Sequence, residues 1–257
     1  MSHKYYSTIY YGLDDSRMKL MIEGMLKLKF EIPLVVFVII ITNVYTANSS
    51  SHSDFTVQRT SIITDNYGYL HLFGKLANTS IEPKNNVTIF ATFLDARGLP
   101  IGNASSSTAT RNLNSGDTSP FEVQFLNKDV VSNIHDFSLQ IKSDRGVEKK
   151  YSIEFTSVRP RLDIFGFYYI YGKVLNNGNE TASNSVIIAA FYDKNGKTID
   201  ITKAMTEPVN ITSGSSASFS ILMDNKEMSN KIWNFSLIAD SDQYLSPEQF
   251  TQTRETH

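Results

Sequence analysis

The chain states one ten-residue strand twice. Residues 67–76 read Y-G-Y-L-H-L-F-G-K-L, and residues 165–174, offset by 98, read F-G-F-Y-Y-I-Y-G-K-V. The match extends on both sides: 65–144 lies over 163–242 at the same offset, 80 positions without a gap. Identities include Gly74-Lys75/Gly172-Lys173, Asn78/Asn176, Phe93/Phe191, Asp95/Asp193, Gly98/Gly196, Phe121/Phe219 and Phe137-Ser138-Leu139/Phe235-Ser236-Leu237. A period this long exceeds a solenoid unit, so each copy must be a complete domain with its own core.

Within a copy the apolar residues alternate with period two, the mark of a half-buried strand. Leu70, Leu72, Gly74 and Leu76 share one face, as do Tyr168, Ile170, Gly172 and Val174. Segments 87–94 and 186–192 are apolar nearly throughout, which predicts central strands. They end in Asp95-Ala96-Arg97-Gly98 and Asp193-Lys194-Asn195-Gly196. Asn-Gly there predicts a tight primed turn with positive φ at both central residues. Further alternation at Phe121/Val123/Phe125 and Phe137/Leu139/Ile141, with opening strands over 55–63 and 151–158, makes about seven strands per copy. Helix is confined to one turn near 127–134. The predicted fold is all-β: two tandem Ig-like β-sandwich domains, 48–146 and 147–246, then a fraying polar tail, 247–257. The short connection at 144–150 predicts a semi-rigid rod.

One segment stands apart. Residues 32–41 are I-P-L-V-V-F-V-I-I-I, extended to residue 47 and preceded by Arg17, Lys19, Lys27 and Lys29. This predicts one N-terminal transmembrane or signal helix over 32–47, with a cytoplasmic leader, 1–31, and both domains outside. The expected location is the cell membrane, single-pass, or the exterior if cleavage follows Ala47. Tyr45 is bulky where a signal-cleavage site wants a small residue.

Composition excludes several classes. The net charge is −2 without a basic run, so no nucleic-acid partner is expected. With no cysteine, disulfides, thiolate metal sites and a cysteine nucleophile are impossible. His3, His52, His71, His135 and His257 are scattered, and Tyr169 and Trp233 stand where the first copy has His71 and His135. Asp193-x-Asn195-Gly196 with Asp200 lacks the third oxygen ligand and closing Glu of a calcium loop, and reads as a turn. No catalytic motif is present. The chain is expected to be no enzyme, with no catalytic, cofactor-binding or metal residues.

Gly74-Lys75-Leu76-Ala77-Asn78 and Gly172-Lys173-Val174-Leu175-Asn176, followed by Ala91-Thr92-Phe93-Leu94-Asp95 and Ala189-Ala190-Phe191-Tyr192-Asp193, carry a resemblance. The chain resembles the FxLYD domain family, extracytoplasmic Ig-like sandwiches of bacteria and archaea. Both copies depart from the signature, with Ala for the leading Phe and Phe for the Leu. The resemblance implies a fold and a place outside the membrane, and carries no catalytic residue.

The candidate binding surface is the other face of the repeated strand: Tyr69, His71 and Phe73, and Phe167, Tyr169 and Tyr171. Aromatic rings on a sheet face form a platform for sugar, peptide or protein. Sequons at Asn48, Asn78, Asn86, Asn103, Asn179, Asn210 and Asn234 are candidate N-glycosylation sites. The functional expectation is a non-catalytic interaction or spacer module at the cell surface, with a protein or carbohydrate partner of unknown identity. Alternatives are a carbohydrate- or peptide-binding protein using the aromatic face, and an accessory subunit of a membrane enzyme complex.

Overall fold

A computed structural model describes residues 5–10 and 53–252; for 5–10 and 252 it describes the backbone alone. The segment 32–47, Asn48, His3, His52 and His257 lie outside the described residues. Among the described residues no helix is long and apolar enough to cross a membrane.

β1 (Tyr5–Tyr10) precedes the repeats. The first copy contains β2 (Phe55–Thr64), β3 (Leu70–Asn78), β4 (Lys84–Leu94), β5 (Pro100–Ser107), β6 (Asn112–Leu113), β7 (Thr118–Phe125), the one-turn helix α1 (Lys128–Val131) and β8 (Asp136–Arg145). The second contains β9 (Lys150–Tyr151), β10 (Ile153–Leu162), β11 (Tyr168–Asn176), β12 (Val186–Tyr192), β13 (Thr198–Met205), β14 (Ser216–Met223), α2 (Lys226–Ser229), β15 (Asn234–Asp240), β16 (Tyr244–Leu245) and β17 (Gln249–Gln252). The protein is therefore all-β, as the alternation predicts.

Each copy is a sandwich of two sheets. In the first, β2-β3-β7 faces β5-β4-β8, with β6 on β4 and β1 along the free edge of β8. In the second, β10-β11-β14 faces β13-β12-β15, extended by β16, β9 and β17. The inward positions fill one core per copy. Leu70, Leu72 and Leu76 meet Ile89, Phe93, Phe121, Leu139 and Ile141 in the first. Tyr168, Ile170 and Val174 meet Ile187, Phe191, Phe219, Phe235 and Leu237 in the second.

The invariant glycine of the repeated strand has a packing reason. Gly74 lies opposite Phe121, and Gly172 opposite Phe219. A Cβ at either position would come within 2.5 Å and 2.4 Å of those rings. The ring lies across the bare backbone, so glycine here makes room for an aromatic on the neighbouring strand.

The turns depart from the primed type. In 95–98 and 193–196 only Gly98 and Gly196 have positive φ, both +76°. The amide of each glycine donates to its turn's Asp carbonyl, and the register shifts beside the turn. This is a turn closed by a glycine bulge. Oδ1 of the leading Asp accepts two backbone amides: Arg97 and Leu99 on Asp95, Asn195 and Lys197 on Asp193, each at 2.9 Å. The acid that suggested part of a calcium loop is thus occupied by its own turn. The same brace closes 65–68 and 163–166.

The copies are packed face to face, unlike the expected semi-rigid rod. The outer face of β2-β3-β7 lies against the outer face of β12-β13-β15, which buries Ile188, Ala190, Tyr192, Ser236, Ile238 and Asp240. The sheets form four layers. The polar tail is also corrected. Gln249–Gln252 pairs with β15 as β17, and Glu248 and Phe250 take part in the contact between copies. Tyr192, stacked on Phe250, provides the apolar surface that holds this strand.

Candidate functional site

The two copies of the repeated strand have different surroundings. In the first, Phe73 is buried and His71 half-buried beneath the second copy. The covering contacts are specific. Arg59 donates to the Gly196 carbonyl and sits 4.9 Å over the Tyr192 ring. The Ser61 hydroxyl donates to the Thr198 carbonyl, and Ile63 packs into the second core. Lys75 Nζ pairs with Glu248 at 2.6 Å and lies 4.6 Å over the Phe250 ring. At the linker end Lys149 Nζ reaches the buried Asp240 carboxylate at 2.8 Å, Arg111 pairs with Asp242, and the Asn114 amide clamps Lys149.

In the second copy the same face is open. Tyr171 is 42% exposed, and Arg159, Arg161 and Lys173 are exposed beside it. Arg161 and Leu222 flank Tyr169 in register, and Arg159 and Ser220 flank Tyr171. The Tyr169 and Tyr171 rings stand parallel, 5.6 Å apart and 7° from coplanar orientation. They stack on one another, so the expected aromatic platform in a single plane is a stacked pair offering its edges and outer faces. His71 and Phe73 repeat the arrangement at 5.9 Å and 11° in the covered copy. Tyr69 and Phe167 form a further matched pair, each capped by a lysine from the short helix: Lys128 at 4.2 Å and Lys226 at 4.6 Å.

A cleft of about 600 Å3 runs between the copies, bounded by Ile63, Phe73, Phe167, Ile199 and Met228. Its polar wall carries Asp65, Glu122, Asp200 and Asp224 around His71. His71 Nδ1 is 2.7 Å from Glu122 and Nε2 3.3 Å from Asp65. Burial opposes charge on this imidazole, but the two carboxylates outweigh it and raise its pKa above the usual value. Asp200 is pushed up to about 6, first by burial and then by the nearby charges of Glu122 and Asp224. Sequence reasoning missed this group because its members come from both copies and from non-equivalent positions: Gly102 stands where the second copy has Asp200. Among the described residues no cluster has the makeup of a metal site.

The sequons separate by burial. Asn78 is buried, and its amide nitrogen donates to the carbonyls of Glu82, Leu113 and Asn114. A glycan there has neither space nor a free N–H, so Asn78 belongs to the fold. Asn86, Asn103, Asn179 and Asn210 are exposed, and Asn234 is half-buried in β15.

No family model matches the chain, and no curated protein matches it. Solved structures that align include red sea bream transglutaminase, at 9% identity and TM-score 0.27, covering 79% of this chain and 31% of that one. Amycolatopsis orientalis exo-chitosanase CsxA aligns at 8% identity and TM-score 0.28, covering 76% and 26%. A calcium-binding mutant of Bacteroides uniformis beta-glucuronidase 2 aligns at 13% identity and TM-score 0.27, covering 77% and 28%. The chain thus spans about a quarter to a third of these proteins' lengths, and likeness at these scores carries nothing about activity.

Proposed function

We propose that this chain is a non-catalytic surface module, in which two sandwiches form one stiff body and present the β10-β11-β14 face to a partner outside the membrane. One observation carries the reading. The repeated aromatic face is consumed by the interface between copies in the first repeat and left open in the second. A stacked tyrosine pair flanked by arginines that form no salt bridge among the described residues has the aromatic and guanidinium chemistry enriched at the centres of binding interfaces. The packing between copies supports a rigid presentation, which lowers the ordering cost of binding.

The test is capture of surface partners by the full chain and by its Tyr169→Ala/Tyr171→Ala variant. Partners retained by the parent are expected to be lost by the variant; equal capture by both defeats the reading. Delivery outside the cell by the 32–47 segment is part of this proposal. A span there places residues 5–10 across the membrane from β8, so β1 cannot stay on the sheet. Thr8 and Gln140 are register partners. A disulfide between Thr8→Cys and Gln140→Cys in the cell-surface protein would overturn a span at 32–47 with residues 5–10 on the cytoplasmic side.

A further inference from the structure

We propose that the β10–β11 hairpin is a docking element for an anionic lipid surface, with Ile164 and Phe165 entering the interfacial layer and Arg159 and Arg161 meeting lipid headgroups. The tip is apolar and uncovered: Ile164 is 91% exposed, Phe165 67% and Leu162 48%. It is also held in place. Asp163 Oδ1 accepts the amides of Phe165 and Phe167, each at 2.9 Å, and the Gly166 amide closes the turn on the Asp163 carbonyl at 3.2 Å. Two bulky apolar side chains therefore project from a turn whose backbone is already braced, so little backbone freedom is left to lose on insertion.

The internal repeat supplies the control. At the equivalent positions the first copy has Thr64, Asn66 and Tyr67 for Leu162, Ile164 and Phe165, and Ser61 and Ile63 for Arg159 and Arg161. The fold is the same and the turn is braced the same way. The second hairpin thus differs by an apolar tip and a basic stem, neither of which the sandwich requires. Glu122, which faces the first copy's strand, is replaced by Ser220, so no acid stands among the residues of β10, β11 and β14 in register with Tyr169 and Tyr171. Among the described residues Arg159, Arg161 and Lys173 form no salt bridge. Asp224 and Glu227, beside the short helix, line the cleft between the copies with Lys226. Apolar tip, tyrosines behind it and arginines at the stem follow the order of a membrane interface, where aromatic rings sit at headgroup level and arginines reach anionic lipid.

A second copy of the chain fits this face less well. The layer that would cover it is the outer face of β4-β5-β8. That face carries Lys142 where the covering face within the chain carries Asp240, so the buried pair that Asp240 makes with Lys149 has no counterpart there.

The absence of native cysteine allows a clean test on the full chain. Ile164→Cys and, separately, Tyr67→Cys are labelled with an environment-sensitive nitrobenzoxadiazole dye. Each is mixed with vesicles of phosphatidylcholine alone or with about 30% phosphatidylglycerol. The expected result is a blue shift and enhancement at position 164, on the anionic vesicles only. None is expected at position 67, an exposed tip position of the equivalent hairpin in the first copy. Reversing both Arg159→Glu and Arg161→Glu in the labelled chain should weaken the 164 response at least roughly tenfold in lipid concentration. No response at 164, an equal response on neutral vesicles, an equal response at 67, or indifference to the charge reversal each overturns the proposal. The proposal shares Arg159 and Arg161 with the partner-facing reading, but the Tyr169→Ala/Tyr171→Ala capture test leaves both arginines and the tip in place, so the two readings fail separately.

Discussion

Lys75 and Glu248 meet at 2.6 Å across the two repeats although 173 residues separate them in the chain. Lys75 is the repeat mate of Lys173, and one of these identical residues is buried while the other is exposed. Burial pulls the Lys75 pKa down, against the attraction of Glu248. Removing one partner of such a buried pair strands the other, which costs about 3 kcal/mol or more. Lys75→Met is therefore expected to destabilise the protein by that order in urea unfolding, while Lys173→Met stays within about 0.5 kcal/mol. Equal effects at both positions would show that the copies are not packed as described.

The glycines of the repeat separate into two kinds by what a methyl group would meet. Gly74→Ala drives a Cβ into the Phe121 ring and is expected to cost about 1–3 kcal/mol as overpacking. Phe121→Leu in the same chain should recover part of that loss. Gly98→Ala meets nothing, but sits at φ +76°, and is expected to cost about 1 kcal/mol from the left-handed backbone alone. Thermal melting of the two single variants and the double variant checks the order.

Asn78 bridges three carbonyls with one amide. Asn78→Ala leaves buried acceptors unsatisfied and is expected to cost at least about 2 kcal/mol. Asn78→Asp exchanges the donor for an acceptor facing the same carbonyls and should be worse. Peptide mapping of protein from a glycosylating host should find Asn78 unmodified. Full occupancy at Asn78 in folded protein would contradict its burial.

The cleft between the copies should loosen as pH rises. His71 has a raised pKa, so its contribution is complete below the unfolded value of 6.5 and is lost as pH climbs through its folded value. Asp200, raised from 3.8 to about 6 by burial, binds its proton more tightly when folded, so stability falls with pH across that window. Asp117, also raised by burial, acts in the same direction. Asp65 is lowered overall, because hydrogen bonds from Tyr69, His71 and Tyr67 outweigh its desolvation, and it opposes the trend only under strongly acidic conditions. The melting temperature is expected to be higher near about pH 5 than near about pH 7.5. Asp200→Asn and His71→Gln should each flatten the difference. A flat parent profile counts against the cleft geometry.

Much of the architecture was readable because it is local. Period-two alternation at Leu70–Leu72–Leu76 needs only the pleat, and the gapless offset makes each copy confirm the other. The apolar segments 87–94 and 186–192 predict central strands in both copies, and β4 lies between β5 and β8 as β12 lies between β13 and β15, but only in the second copy is the outer face, with Ile188, Ala190 and Tyr192, buried by the other copy. The turn at Asn195-Gly196 falls where the sequence predicts it but is not of the primed type. An Asp carboxylate that collects two amides stabilises a glycine-bulge turn, in which the residue before glycine keeps negative φ.

The amino-acid sequence alone determined the fold class, the number of domains and the alternation that divides the repeated strand into a core face and an aromatic face. Its two copies carry the same pattern, so it could not say which aromatic face would be covered. Tertiary structure decided that by bringing Glu248 to Lys75 and Ile63 to the second core. The physical reason is that strand periodicity is written in neighbours two residues apart, whereas burial of one sheet face by another depends on charge and shape at positions more than a hundred residues away.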